Sequence, residues 1–371
     1  MMKIIPLILS TFLFMQCNTT NKVAEINWSM ADSLPKTIND QVQIGVAGPI
    51  VGIHQNHLLI AGGANFPEKM PWEGGVKKYQ HSAYIFSLHD HKLQLIDTVS
   101  FHTSTAYAAN SSQEEGIYTA GGENEEGASS QFHRYTWSKI KNNFVAQPLA
   151  DLPLPLSNAS LVSDEHNCYL IGGENANLVS DKIYRYDQQW EEYMNLPYPL
   201  THTVALTKDH FLYLFGGRTK QVNAVSTLYK TCYKINLRTK ECIQIADLPE
   251  ALSAGTGFKD DKGRLFLIGG DNGITFHKVE NLILEIAKET DPVKKEKLIH
   301  DKAIVQSNHP GFSKKILQYD DQSNTWQEVG NLPVGSPVTT TAVFHQKQVY
   351  IPSGEIKAGI RSAGILTGTI Q

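Results

Sequence analysis

Six positions in this sequence follow a short apolar run that ends in two small residues, and five of the six are ionisable. Carboxylates in such a set can take up and release protons, and guanidinium groups can hold a carboxylate through two parallel hydrogen bonds. The six positions are Ala64, Glu123, Glu174, Arg218, Asp271 and Glu355, and their neighbours include Asn65, Asn124, Asn175, Asn272, His277, Lys357 and Arg361. If the fold gathers them, they are candidates for a binding or acid/base site.

A simpler interpretation is structural. A polar residue after each run can hydrogen-bond the backbone of the next turn, and the repeated pairs Glu123-Asn124 and Glu174-Asn175 fit that use. Arg218 and Arg361 could equally form ion pairs between neighbouring units. The positions alone do not decide between these interpretations.

The apolar run is part of an internal repeat. It reads LLIAGG to Gly63, IYTAGG to Gly122, CYLIGG to Gly173, LYLFGG to Gly217 and LFLIGG to Gly270, with a degenerate sixth copy, VYIPSG, to Gly354. A strand with Tyr, a turn, an aromatic residue and Leu-Pro follow most copies, as in KIYRYDQQWEEYMNLP. Short β-rich runs bounded by Gly, Asn, Asp and Pro predict strands and turns. Gly-Gly, Tyr, Trp at this spacing resembles the kelch repeat, in which each unit is one four-stranded blade of a β-propeller.

The two ends of the sequence complete one unit between them. After Ser362 too little sequence remains for the last strand of the sixth unit, whereas EINWSMADSLP at Glu25–Pro35 resembles that strand in kind. We therefore expect an all-β, six-bladed kelch propeller over residues 25–371, with the last blade closed by the N-terminal strand, since closure removes exposed sheet edges. The residues after each doublet then lie around one mouth of the ring. A charged, partly helical segment at about 286–312 interrupts the fifth unit.

The stretch SGEIKAGIRS at Ser353–Ser362 is similar to the Gly-Glu-x-Lys-x-Gly-x-Arg turn of the kelch-type N-acetylneuraminate epimerases, the sialic acid mutarotases. IVGIHQNHLLIAGGANFP, at residues 50–67, resembles the stretch that directly follows this turn in that family. Here the order of the two is reversed, so the sequence resembles a cyclically permuted member.

The resemblance implies interconversion of the α and β anomers of free sialic acid, a small sugar acid, without a cofactor. It assigns Glu355 as the proton acceptor and Arg361 as its paired arginine. On the same rim, Arg218 is a second candidate for the sugar carboxylate, and Asn65, Asp271, Asn272 and His277 are further candidates for substrate binding. The loop after Gly63 departs from the family, which leaves other acidic or N-acylated sugars open as substrates.

The first residues predict export. Met1–Lys3 carries one positive charge, Ile4–Met15 is mainly apolar, and Cys17 follows. This order is typical of a secretory signal, and the position of Cys17 resembles a bacterial lipoprotein signal. We expect a signal peptide over residues 1–17 with lipidated Cys17, a linker over 18–24, and a periplasmic or membrane-anchored bacterial lipoprotein; simple secretion is the alternative.

Other classes of function find little support. The net charge of −4 gives no basic footprint for nucleic acid, and no His/Cys spacing typical of a metal site occurs. Cys168, Cys232 and Cys242 leave at least one thiol unpaired, and three mostly buried thiols are the favoured interpretation. Two alternatives to a mutarotase stay open: a non-catalytic kelch module that binds a glycan or protein at the cell surface, and a hydrolase or lyase that acts on sialosides.

Overall fold

The computed structural model describes residues 24–90, 92–164 and 166–371, and six four-stranded antiparallel sheets dominate it. We number the sheets as blades in chain order and give their strands from the inner to the outer one. Blade 1 holds Ile50–His54, His57–Ala61, Ser82–His89 and Lys92–Ser100, and blade 2 holds Ala109–Gln113, Gly116–Ala120, Phe132–Ser138 and Asn143–Pro148. Blade 3 holds Ser160–Ser163, Cys168–Ile171, Lys182–Asp187 and Gln189–Asn195, and blade 4 holds Val204–Lys208, Phe211–Phe215, Cys232–Asn236 and Cys242–Ile245. Blade 5 holds Thr256–Lys259, Leu265–Ile268, Lys315–Asp320 and Thr325–Asn331, and blade 6 holds Val343–His345, Gln348–Pro352, Gly364–Ile370 and Ile26–Ser33.

Blade 6 closes the ring as the sequence predicts. Its outer strand, Ile26–Ser33, pairs antiparallel with Gly364–Ile370, and Trp28 lies opposite Gly368. A Cβ at Gly368 would lie 3.0 Å from the Trp28 ring, so the absence of a side chain there makes room for the indole. The six-bladed kelch propeller is confirmed.

The core lies between successive blades. The second strand of every blade is almost wholly buried, since both of its faces are covered by neighbouring sheets. The leucines of the Leu-Pro motifs are 2–5% exposed and pack into the same inter-blade clusters. Burial of these aliphatic and aromatic side chains is the main favourable term that holds the blades together.

The Gly-Gly doublets join each blade to the next one. The first glycine of each has φ between 59° and 66°, a region that strongly favours glycine. A Cβ at Gly172 would lie 1.9 Å from the carbonyl oxygen of Leu200 in the segment leading to blade 4. The second glycine, Gly173, donates its N–H to that same oxygen at 2.9 Å. The doublet therefore permits the close approach of two blades and supplies a hydrogen bond across it.

A closed circle of backbone hydrogen bonds surrounds the central channel. Six residues contribute, one from each segment that enters a blade, and each donates its N–H to the carbonyl of the previous one at 2.6–3.1 Å. All six have φ between 52° and 63°. We call them the collar: Gly48, Tyr107, Asn158, His202, Ala254 and Thr339. The collar fixes the angular position of each blade and the direction of its side chains into the channel.

Shorter elements extend from one mouth of the ring. Pairs of two- or three-residue strands follow four of the doublets: Ala64–Asn65 with Lys78–Tyr79, Glu123–Asn124 with Gly127–Ala128, Arg218–Thr219 with Thr227–Leu228, and Glu355–Lys357 with Ile360–Arg361. A 3-10 helix spans Pro71–Glu73. Blade 5 instead carries helix α1, Ile274–Lys288, and helix α2, Pro292–Ser307. The inserted helical hairpin thus starts at 274, twelve residues before the expected boundary of 286, because α1 begins directly after the doublet.

The remaining expectations about the fold concern the cysteines and the chain start. Cys168, Cys232 and Cys242 are all free thiols, and Cys168 and Cys232 are buried. The signal peptide, Cys17 and nearly all of the linker lie outside the described residues. Among the helices of residues 24–90, 92–164 and 166–371, none is long and apolar enough to span a membrane.

Candidate active site

A cavity of about 460 Å³ opens at the mouth where the doublets end. Its base includes collar residues, and its walls come from the strand pair of blade 6, the loop after the first doublet and the helical hairpin of blade 5. Side chains able to do chemistry or to bind a sugar line it: Phe66, Lys77, Tyr107, His202, Arg218, Asp271, Phe276, His309, Phe312, Glu355 and Arg361. A smaller cavity of about 140 Å³ in the channel shares the collar with it.

Glu355 and Arg361 lie across a tight turn. Their Cα atoms are direct partners in the strand pair, so the six-residue spacing places both side chains on one side of the turn. Gly359 has φ of 78° and donates its N–H to Glu355 Oε1 at 2.5 Å, while Arg361 Nη1 lies 3.5 Å from that oxygen. A Cβ at Gly359 would lie 2.9 Å from Pro71, so the neighbouring loop packs against the turn. The turn delivers a carboxylate and a guanidinium to the same wall of the cavity.

The Arg361 guanidinium is buried but incompletely paired. Its side chain is 5% exposed, and its plane lies over the Phe66 ring, 4.8 Å from the centroid. Both Nε and Nη1 lack a hydrogen-bond partner within the part of the chain that the structure describes. Buried charged donors are costly unless they find acceptors. The two atoms lie on different edges of the guanidinium and are closed off from solvent, so the third nitrogen, Nη2, is the donor that can reach the cavity.

Glu355 has the environment of a proton acceptor. Burial raises the pKa of its carboxyl, and Arg361 and the Gly359 N–H oppose that rise. A glutamate whose pKa is raised toward the working pH can accept a proton in one step and return it in the next. The wall therefore holds a group suited to acid/base exchange next to a cation that stabilises its ionised form.

A second arginine lies in the cavity wall but is already engaged. Arg218 Nη2 donates to Glu174 Oε1 at 3.0 Å and lies 3.2 Å from His202 Nε2, and Asn158 Nδ2 donates to the same carboxylate at 3.1 Å. Burial opposes ionisation of Glu174, but hydrogen bonding and charge from His202, Arg218 and Asn158 outweigh it and lower its pKa to about 2. Burial, reinforced by the Arg218 charge, lowers the pKa of His202. Glu174 is thus a permanently charged partner that holds Arg218 in place.

A third cation, Lys77, reaches the cavity from the loop after the first doublet. Its Nζ donates to Glu123 Oε1 at 2.5 Å, and the Tyr79 hydroxyl donates to the same oxygen at 2.7 Å. The ammonium group also lies 5.2 Å from the centroid of the Tyr107 ring. Glu123 and Glu174 therefore hold cations at the cavity through ion pairs. These contacts favour a positioning role for the two glutamates over a catalytic one.

The helical hairpin supplies an apolar wall. Phe276 from α1 stacks over Arg218 at 5.3 Å, and Phe312 lies beyond α2 with its ring 4.8 Å from that of His309. Asp271, just before α1, accepts the Gly273 N–H at 2.9 Å. The insertion is therefore part of the site.

The structure brings together four of the seven predicted site residues. Glu355, Arg361, Arg218 and Asp271 all line the cavity. The other three are not among the residues that line it.

 Asn65 is 3% exposed; its amide donates to Gly45 O and accepts a hydrogen bond from Gln80. Asn272 donates to Glu250 and accepts the N–H of Ile274. His277 Nε2 forms a hydrogen bond with Ser226 O. For these three residues the contacts support positioning of the rim and give no support to substrate binding.

Sequence reasoning missed the collar residues and the apolar wall. Tyr107 follows Ala106, which pairs with Glu123. In the same way His202 follows Thr201, which pairs with Arg218, and both segments lead into a blade. The available signal was the register of those segments, since each pairs with the residue after a doublet. Phe276 and Phe312 lie in or beside the helical insertion, whose path over the ring no spacing indicates.

Comparisons with known proteins bear on the same region. The sequence profile of the N-acetylneuraminate epimerase family matches residues 149–371, more than half of the chain. The chain belongs to this family. The match runs from the segment before blade 3 to the C-terminus and includes Glu355, Arg361 and the helical hairpin.

Individual relatives agree with the assignment. The N-acetylneuraminate epimerase of Pasteurella multocida is 29% identical over 124 residues, which are 33% of this chain and 32% of that protein. The N-acetylneuraminate epimerase of Salmonella typhi is 28% identical over 229 residues, 60% of this chain and 58% of that one. The chain thus matches less than two thirds of the length of these relatives.

A solved structure titled "Structure of YjhT" shares the fold with a TM-score of 0.63. It is 13% identical, and the match covers 91% of this chain and 99% of the other. At that identity the likeness bears on architecture alone. The permuted chain order of this family member stays a prediction.

Proposed function

We propose that this protein is a mutarotase that interconverts the α and β anomers of free N-acetylneuraminate. The observation that carries the proposal is the Glu355–Arg361 pair: a largely buried carboxylate with a raised pKa and a guanidinium 3.5 Å from it, both in the wall of one cavity. Membership of the N-acetylneuraminate epimerase family supports the choice of sugar.

The chemistry needs only proton movement. In a hemiketal the hydroxyl oxygen and the ring oxygen are bonded to the same carbon, C2, so one carboxylate can reach both. Glu355 takes the hydroxyl proton, the bond between C2 and the ring oxygen breaks, and the proton is delivered to that oxygen to give the open-chain ketone. Closure on the other face of the ketone reverses these transfers. Every proton and electron pair is accounted for within the sugar and Glu355, so no cofactor is required.

Arg361 fits the carboxylate of the sugar acid. Its guanidinium is held over the Phe66 ring in the cavity wall, where its charge attracts a carboxylate and Nη2 is the nitrogen left to donate to one. A sugar acid bound there has its anomeric carbon next to its carboxylate and hence near Glu355. The apolar wall of Phe276 and Phe312 offers surface for the ring face or the acyl group.

The experiment is anomer exchange followed by proton NMR on freshly released α-N-acetylneuraminate. The wild-type protein should speed the decay of the α signal, and Glu355→Gln should slow the catalysed rate by at least about 10²-fold, the usual contribution of a positioned base. Glu296→Gln, an exposed change on α2, is the matched control and should behave as wild type. If the α signal decays no faster with wild-type protein than in buffer, the proposal is wrong.

We also propose that the protein is exported and anchored by a lipid on Cys17. The basic start, the apolar run Ile4–Met15 and the position of Cys17 support this. Wild-type protein should incorporate labelled palmitate in bacterial cells and Cys17→Ser should not; equal labelling of both would contradict the anchor.

A further inference from the structure

The Tyr107 side chain lines the cavity together with Glu355, Arg361 and Lys77. Its phenol hydroxyl makes no hydrogen bond to any other residue in the described ranges. It is also not sealed away from solvent, unlike the orphaned hydroxyl of Tyr213. A hydroxyl that faces a polar cavity without a protein partner is free to bind what occupies that cavity.

The collar determines where this side chain stands. Tyr107 has φ of 59°, an uncommon conformation for a bulky residue, and its backbone N–H donates to Gly48 O at 2.8 Å. A Cβ at Gly48 would lie 2.5 Å from Cδ1 of Tyr107, so the ring occupies the space that the missing side chain leaves. Residues held in such conformations are over-represented at functional sites. The backbone of the ring therefore places this phenol rigidly beside the reacting groups.

The charges around Tyr107 favour a hydrogen-bond donor. Burial raises the pKa of the phenol, and Glu355 and Glu123 raise it further, while Arg361 and Lys77 lower it. The hydroxyl accordingly keeps its proton at neutral pH. Arg361 and Lys77, the two cations whose charge acts on this phenol, stabilise negative charge that develops on an atom bound to the hydroxyl.

We propose that Tyr107 donates a hydrogen bond to the ring oxygen of the sugar while the bond from that oxygen to C2 breaks. The inference rests on the proposed mutarotase function. Glu355 removes the C2 hydroxyl proton, the ring oxygen leaves with the bonding electron pair, and Tyr107 holds it until the proton on Glu355 is delivered to it. Closure on the other face reverses both transfers, and Tyr107 keeps its own proton throughout. Donors aimed at an oxygen that gains charge in the transition state act on kcat more than on binding.

The test is Tyr107→Phe, which keeps the ring over Gly48 and removes only the hydroxyl. Tyr118→Phe is the matched control, because Tyr118 lies in the second strand of blade 2, away from the cavity. We expect kcat for anomer exchange to fall on the order of 10²-fold in Tyr107→Phe with KM unchanged. Tyr118→Phe should match wild type in both constants. Thermal unfolding should show both variants folded at the assay temperature.

The outcomes separate the two proposals. Unchanged kcat in Tyr107→Phe, a loss confined to KM, or an equal loss in Tyr118→Phe would each overturn the role of Tyr107 and leave the mutarotase proposal standing. An inactive wild-type protein would instead remove the mutarotase proposal and this inference with it. The apparent pKa of the acid limb of the rate–pH profile, which we assign to Glu355, should be the same in Tyr107→Phe as in wild type. A shift of that pKa would show that the hydroxyl acts on the carboxyl and not on the sugar.

Discussion

Ser353 takes the place of the first glycine in the sixth doublet, and its hydroxyl joins the two sides of the ring closure. The Oγ atom accepts the N–H of Val46 at 2.8 Å and lies 2.9 Å from Val46 O and 2.8 Å from Ser362 O. Ser353 is 1% exposed and has φ of 57°. The Ser353→Ala change should therefore weaken the junction of blades 6 and 1, two residues from Glu355.

The size of the effect follows from these contacts. The hydroxyl donates one hydrogen bond and accepts another, each worth about 0.5–1.5 kcal/mol net. Without it the buried N–H of Val46 is left unpaired, which costs about 1–3 kcal/mol. We expect Ser353→Ala to lower the free energy of unfolding by about 2–4 kcal/mol. Ser353→Gly loses the same bonds but relieves the positive φ, so it should be less destabilised by about 1 kcal/mol.

Urea unfolding measures these differences, and Ser336→Ala supplies the control. Ser336 is as buried as Ser353, but its Oγ has no hydrogen-bond partner in the described chain. Removing an unpaired buried hydroxyl should be neutral or slightly stabilising. If Ser336→Ala costs as much as Ser353→Ala at equal slope, the hydroxyl contacts of Ser353 do not explain its presence. If Ser353→Gly is less stable than Ser353→Ala, the account of backbone strain is wrong.

Two further predictions concern pH. Because burial raises the pKa of Glu355 and the exchange needs its ionised form, the acid limb of the rate–pH profile should lie above the ordinary range of a glutamate; a limb within that range would contradict the assignment. Glu174 has the opposite shift, from 4.5 to about 2, so it stabilises the folded state above pH 4.5 and that contribution is lost as the pH falls toward 2. We expect the free energy of unfolding, measured with urea across that pH window, to fall by up to about 3 kcal/mol less in Glu174→Gln than in wild type. An identical fall in both proteins would refute the ion-pair account.

The sequence predicted the ring because the repeat has a local cause. Each doublet must leave room for the next segment, as at Gly172 near Leu200 O, so glycine marks the same point in nearly every blade. The degenerate sixth copy, VYIPSG, was also recognisable, since it keeps the apolar run and the second glycine. Ser353 stands in place of the first glycine and forms hydrogen bonds with Val46 and Ser362. The complementary ends were predictable because a blade without its outer strand leaves an edge unpaired.

The candidate site was only partly predictable, since position on the rim does not determine where a side chain points. Asn65 and Asn272 are the second residue after their doublets, next to the position that Glu355 occupies in its own unit, yet both hydrogen-bond backbone groups nearby. Their short amides compete well for nearby N–H and C=O groups. Tyr107 was missed because it lies in a segment that enters a blade, where only its place beside Ala106, the partner of Glu123, marks it.

The site combines two segments from opposite ends of the sequence. Arg361 stacks on Phe66, and the Gly359 turn packs against Pro71 and Trp72 from the same loop. The Gly48 N–H donates to Thr339 O at 2.6 Å and so closes the collar between blades 6 and 1 with the same bond that joins every other pair of blades. This junction is therefore closed by the same kind of backbone bond as the other five, and the ring holds the two segments of the site together. The loop that holds Phe66 and Lys77 borders the Arg361 guanidinium but lies outside residues 149–371, the part of the chain that matches the family profile.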